Sequence, residues 1–194
     1  MSDPRVTQHL ADPMRYRRAT VPGASSFFTL ITYRRHRLFS DPSNVERWHR
    51  AVAKVQRTRP FVVEAEVVMP DHLHMIWTLP EADADYATRI RLIKTAFTKD
   101  LPSRGGGVAA NESRAGKGER DVWQRRYWEY VIRDKRDFQA HLDYIHANPV
   151  QHGLVARPSD WPHSTFGIWL ERGAYEPWWG TDEMPPLPEW AGRE

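Results

Sequence analysis

Residues 61–79, FVVEAEVVMPDHLHMIWTL, decide the fold. β-Branched and aromatic residues dominate both halves, and Pro70-Asp71 between them is turn chemistry. The segment therefore predicts strands over 61–69 and 72–79, joined as a hairpin. Upstream, residues 26–33, SFFTLITY, form a third strand run after the Pro22-Gly23 turn. Between that run and the hairpin, Asp41-Pro42-Ser43-Asn44 offers capping groups, and Val45, Trp48, Val52 and Val55 recur at helical spacing to Thr58. Downstream, Ile90, Ile93, Ala96 and Phe97 mark one face of a helix over 86–101, with Arg89, Arg91, Lys94 and Lys99 largely around it. A strand is placed over 127–133, a helix being the alternative there. Asp134 caps a third helix that runs to Ala147 and is stopped by Asn148-Pro149, with Phe138, Leu142 and Ile145 facing the core. A shorter helix follows over 163–172. Strand, helix, paired strands, helix, strand, helix predicts an α+β fold: a ferredoxin-like antiparallel sheet with helices packed on one face.

Composition narrows the function. At 194 residues the chain is long enough for one domain, 1–173, followed by an acidic Trp- and Pro-rich tail, 174–194. No run reaches the roughly 20 apolar residues of a bilayer crossing, and MSDPRVTQHLADP lacks the apolar core of a signal peptide, so a cytoplasmic protein without a membrane partner is expected. The absence of cysteine excludes disulfides, thiolate metal sites and cysteine nucleophiles. Net charge is +3, from 28 basic and 25 acidic residues, and the basic residues are 23 Arg against 5 Lys. Arginine forks pair with phosphate and stack on bases, which with 9 Trp suits nucleic acid; a solvated Arg-rich surface is the plainer alternative. In the tail, Glu176, Asp182, Glu183, Glu189 and Glu194 oppose Arg193 alone, and Trp178, Trp179 and Trp190 lie among prolines. That segment either lies across a basic groove in competition with nucleic acid or packs on the domain as a plain extension. Residues 102–120, PSRGGGVAANESRAGKGER, carry no apolar period and predict a flexible basic loop.

The chemistry begins on the second hairpin strand. His72 and His74, one strand repeat apart, point to the same side and can share a metal ion, though a surface pair of histidines has the same spacing. Tyr144 and Asn148, four apart near the end of the third helix, share a helix face. Alone, they read as a buried tyrosine and a C-cap. If that face lies over the histidine strand, the Asn148 carbonyl oxygen becomes a third ligand and the Tyr144 hydroxyl sits beside the ion. Nitrogen and oxygen ligands with open positions suit Mg²⁺ or Mn²⁺ held mainly through a substrate phosphate, with zinc as the competing reading. A tyrosine hydroxyl beside a cation is a covalent nucleophile, and attack on a phosphodiester would conserve the bond energy for rejoining.

Six blocks in order, RYRRATVPGASSFFTL, VVMPDHLHMIWTLPEADADY, RLIKTAF, VWQRRYWEYVIRD, DYIHANPVQHGLV and DWPHSTF, mark a match that spans roughly Arg15 to Trp179. In them the chain resembles the REP-associated tyrosine transposases, the single-tyrosine branch of the His-hydrophobic-His nucleases. The resemblance implies a ferredoxin-like core and divalent-metal-dependent attack on single-stranded DNA through a 5′-phosphotyrosine. It implies substrates that are palindromic hairpins flanked by a short guide sequence, in a bacterial, nucleoid-associated setting. It assigns His72 and His74 as metal ligands, Tyr144 as nucleophile and Asn148 as third ligand. Arg15, Arg17 and Arg18 resemble the family's basic lead and are candidate DNA contacts, as are Lys94, Lys99, Arg125 and Arg126. Each is also readable as ordinary surface charge. Trp128 is read as core, and His146, beside the nucleophile, is either a base or an ordinary neighbour. All four site residues lie in one chain, so no protein partner is implied and a monomer is expected. Two other functions remain open at this level: a non-catalytic regulator binding single-stranded or hairpin DNA, and a zinc phosphoesterase using water.

Overall fold

Ser25–Ile31 (β1) buries apolar side chains on both faces: Phe28 and Leu30 face one side of the sheet and Phe27 the other, and none of the three is more than 1% exposed. The computed structural model describes residues 21–102 and 121–181. β1 pairs antiparallel with His72–Thr78 (β3) and with Trp128–Val131 (β4), and β3 pairs with Val62–Val68 (β2). The sheet order is β2-β3-β1-β4, the ferredoxin-like order expected from the element sequence. Two crossover helices connect it, Pro42–Gln56 (α1) and Tyr86–Asp100 (α2). The Asp41 carboxylate caps α1 by accepting from the Ser43 amide at 2.9 Å, with Pro42 in the first turn, and Asp85 caps α2 by accepting from Thr88 at 3.0 Å. No helix among the described residues is long and apolar enough to cross a membrane.

The α+β class and the antiparallel sheet are as expected, but the placement of all helices on one face is corrected. α1 and α2 do share a face, where Trp48, Val52, Ile93 and Phe97 pack on Phe28, Leu30, Leu73, Met75 and Trp77. Lys135–Gln151 (α3) and Phe166–Glu171 (α4) cover the opposite one, where Leu142, Ile145 and Phe166 pack on Phe27, Ala65, Val67 and Ile76. Strands that are buried on both sides need cover on both sides. The unbroken run FFTLI already carried that signal, since a half-exposed strand would alternate.

The end of α3 is a second correction. Asp134 caps the helix as expected, accepting from the Asp137 amide at 2.9 Å, but the helix does not stop at Asn148-Pro149. It runs through Pro149 to Gln151, and Gly153, at φ 65, ends it in the left-handed region where glycine is at ease. Backbone bonds from His152 to Asn148 at 3.0 Å and from Leu154 to Pro149 at 2.9 Å close the final turn. The consequence is functional: one more turn of α3 extends the Tyr144–Asn148 stripe to His152.

The outer edge of β2 is covered by residues 161–169. The Val68 amide donates to the His163 carbonyl at 2.8 Å and the Thr165 amide to Glu66 at 2.9 Å, while the indoles of Trp161 and Trp169 donate to Val68 and Glu64. This closes an edge that would otherwise present unpaired backbone. Past position 173, Tyr175 and Trp179 pack into the α3-side core against Phe166. Residues 103–120 of the expected loop, and 182–194 of the tail, lie outside the described residues.

Candidate active site

Strand register places the site. Thr29 stands opposite His74 and Ile31 opposite His72, so Thr29, His72 and His74 all face α3. The two imidazole centroids are 4.8 Å apart. Above them, the Tyr144 ring lies 5.1 Å from His74 and the His152 ring 5.3 Å from His72. Asn148 is one helical turn from each of these residues and therefore faces the histidine pair. The structure thus brings together all four residues that the sequence singled out, and each is at most 7% exposed.

Each histidine is oriented by a neighbour. His72 Nδ1 lies 2.6 Å from Asp71 Oδ1, and His74 Nδ1 lies 2.9 Å from Thr29 Oγ1. With Nδ1 engaged in both rings, Nε2 is the nitrogen a metal would take. Burial, reinforced by the charges of His72, His152 and Arg35, holds the His74 pKa well below the usual imidazole range. A neutral ring is the form a ligand requires. Asp71 is partly desolvated, which raises its pKa, but its hydrogen bond to His72 and the charges of His72 and Arg35 outweigh this and keep it low. Phe27 packs beside the site, its ring 5.6 Å from His74 and 6.1 Å from Tyr144.

Asn148 is the telling group. It is 1% exposed, and its Oδ1 finds no hydrogen-bond donor among the described residues. An orphaned buried acceptor costs about 1–3 kcal/mol unless something else satisfies it. No trio of His, Asp or Glu is arranged to hold a metal among the described residues. Two imidazoles and an amide oxygen are therefore the donor set available here, and the hard oxygen together with open positions fits a cation of the Mg²⁺ or Mn²⁺ type.

His146 is not a base for Tyr144. Two residues further along α3 it points to another side of the helix, with Nδ1 3.0 Å from Tyr175 Oη and Nε2 2.9 Å from Thr165 Oγ1. Burial lowers its pKa to about 3. Tyr175 in turn donates to Asp143 at 3.0 Å, so His146 joins α3 to the segments on either side of α4.

The candidate DNA contacts are dispersed. Arg125 and Arg126 are exposed just before β4. Lys94 and Lys99 lie on α2, across the sheet from the histidines: Lys94 donates to the Gln124 carbonyl at 2.8 Å and sits over the Trp123 ring, while Lys99 is exposed. Trp128 packs against the α3-side core, as read. Arg15, Arg17 and Arg18 lie outside the described residues. Sequence reasoning missed Thr29, Asp71 and His152. Asp71 was visible only as a turn residue, and Thr29 is recognisable only once the β1–β3 register is known. His152 was hidden by the expectation that α3 ends at Pro149.

No protein-family model matches the chain. It is 41% identical over 168 residues to the REP-associated tyrosine transposase of Escherichia coli (strain K12), covering 86% of this chain and 91% of that one. A chain from Haemophilus influenzae is 38% identical over 165 residues, covering 85% of this chain and 92% of the other. Among solved structures, a REP-associated tyrosine transposase bound to a REP hairpin superposes with a TM-score of 0.71 at 38% identity, covering 91% of this chain and 94% of that chain.

Proposed function

The chain belongs to the REP-associated tyrosine transposases, and from that premise we propose that it cleaves and rejoins single-stranded DNA beside REP-like palindromic hairpins, with Tyr144 as nucleophile and Mg²⁺ or Mn²⁺ held by His72, His74 and Asn148. The observation that carries the reading is the orphaned oxygen of buried Asn148, one helical turn from a tyrosine whose ring lies 5.1 Å from His74.

Each residue has a task in this reaction. Asp71 and Thr29 hold the imidazoles in fixed tautomers and orientations, which prepays the ordering that a flexible site would incur during the reaction. Bound at the site, the cation supplies electrostatic stabilisation of the charge developing on the phosphate. Tyr144 Oη attacks the scissile phosphorus; its bond to phosphorus forms as the bond to the 3′ oxygen breaks, and that oxygen leaves as a protonated 3′-hydroxyl. The 5′ phosphate stays on the tyrosine. Attack by a 3′-hydroxyl on the same phosphorus reverses the step, restores the phenol and joins strands without an external energy source. Phe27 and the α3 packing limit water beside Tyr144, which favours rejoining over hydrolysis.

The test is a Tyr144→Phe variant beside the unaltered protein, each incubated with labelled hairpin DNA carrying single-stranded flanks and Mn²⁺. The unaltered protein forms a protease-sensitive covalent species on a denaturing gel. The variant binds the DNA with the same affinity and forms none. Cleavage at full rate by the variant overturns the assignment of the nucleophile.

A further inference from the structure

Directly after β1, residues 33–37 read YRRHR, and the chain makes a tight turn there whose backbone is strained. Arg34 and Arg35 both sit in the left-handed region, at φ 53 and φ 52, which is costly for residues with a Cβ. Contacts to the β2–β3 turn hold them in place. Thr32 Oγ1 lies 2.8 Å from the carbonyls of both His36 and Asp71, the Thr32 amide donates to Asp71, and the Phe39 amide donates to Pro70. The arginine turn is thereby pinned to the residue that orients His72. Arg34, Arg35, His36 and Arg37 are all exposed.

Arg35 is the member that reaches the site. Its Nη1 lies 3.4 Å from Asp71 Oδ2, while Oδ1 of the same carboxylate is engaged by His72. The ion pair with Asp71 is long and its guanidinium is 53% exposed, so it contributes little as a structural bond. A phosphate offers the same guanidinium a bidentate, charge-assisted partner.

We propose that this turn is a phosphodiester clamp in which Arg35 exchanges Asp71 for a backbone phosphate of the single strand that enters the Tyr144 site, with Arg34 and Arg37 extending the contact along that strand. The proposal rests on the reading of the site as one for single-stranded DNA. It places the clamp on the flank of the hairpin, not on its stem, because the turn is anchored beside His72. The clamp reads backbone charge and contributes no base preference.

Binding without chemistry tests it. The full chain and its Arg35→Gln and Arg35→Lys variants are titrated, without divalent metal and across a salt series, with a labelled hairpin bearing single-stranded extensions and with the same hairpin cut blunt. Arg35→Gln weakens binding to the extended hairpin by roughly tenfold and lowers the slope of log K against log salt by about 0.7, the signature of one lost single-strand phosphate contact. Arg35→Lys keeps the slope. Binding to the blunt hairpin and the affinity for Mn²⁺ alone stay within about twofold, as one lost contact would leave them. An unchanged slope on the extended hairpin overturns the clamp, as does an equal loss on the blunt one. Weaker Mn²⁺ binding with an unchanged slope also overturns it, and makes Arg35 a positioning residue for Asp71. Failure of the chemical reading shows separately, as the absence of a Tyr144 adduct while the slope still responds to Arg35.

Discussion

On β3, Leu73, Met75 and Trp77 point towards α1 and α2, while His72, His74 and Ile76 point towards α3. One strand, taken at alternate residues, therefore serves a dry aromatic core and a buried polar site. The core side is closed by rings: Phe97 packs on Phe39, Trp48 and Trp123 with centroids 5.3–6.2 Å apart. The site side instead buries Thr29, His72, His74, His146 and Asn148, each at most 5% exposed. Burying polar groups costs stability unless each is paired, and beside the histidine pair the Asn148 oxygen has no donor among the described residues. The contrast shows where the fold gains stability and where it gives some up for chemistry.

Replacing Asn148 by leucine breaks that contrast most strongly. It removes the orphaned acceptor, so the metal-free protein is expected to gain about 1–2 kcal/mol in a denaturant titration. The same change removes the oxygen ligand, and metal-dependent cleavage of hairpin DNA is expected to fall below detection. Cleavage at the normal rate would show that the oxygen is not a ligand. On the other face, Phe97→Ala inverts the result. It should cost about 3–5 kcal/mol in the same titration, because a fully buried ring is lost from a close-packed core. The cleavage rate per folded molecule should be unaltered.

His146 sharpens the comparison through pH. Its pKa is lowered by burial to about 3 in the folded chain against 6.5 for the ordinary imidazole, so the unfolded chain binds the extra proton first. Stability is therefore full above 6.5 and falls on acidification, by up to about 1.4 kcal/mol per pH unit. Between pH 6.5 and 5, above the carboxylate range, His146→Gln should make that decline shallower, the buried His74 still contributing its share. An equally steep decline in the variant would place the acid sensitivity elsewhere. Deleting the chain after Gly173 removes Tyr175 from His146 and Trp179 from Phe166, and is expected to lower stability in the same denaturant titration.

The site was half legible. His72 and His74 at strand spacing, and Tyr144 and Asn148 at helix spacing, are local patterns, and local periodicity survives folding. What brings the Tyr144 ring to 5.1 Å from His74 is the packing of α3 across β3, and no spacing in the chain encodes that. Thr29 and Asp71 act through register and through a turn, and His152 through a helix that outlasts its proline because α3 is buried on the sheet and Gly153, four residues on, supplies the end.

Periodicity and turn chemistry by themselves determined the order of strands and helices and placed His72 with His74, and Tyr144 with Asn148, on common faces. Those properties depend on side chains within a few positions of one another, where backbone geometry leaves few options. Only the tertiary structure decided that helices cover both faces, that α3 runs on to bring His152 to His72, and that an arginine turn lies against the carboxylate orienting His72. These depend on contacts between residues far apart in the chain, set by how both faces of one sheet are covered at once.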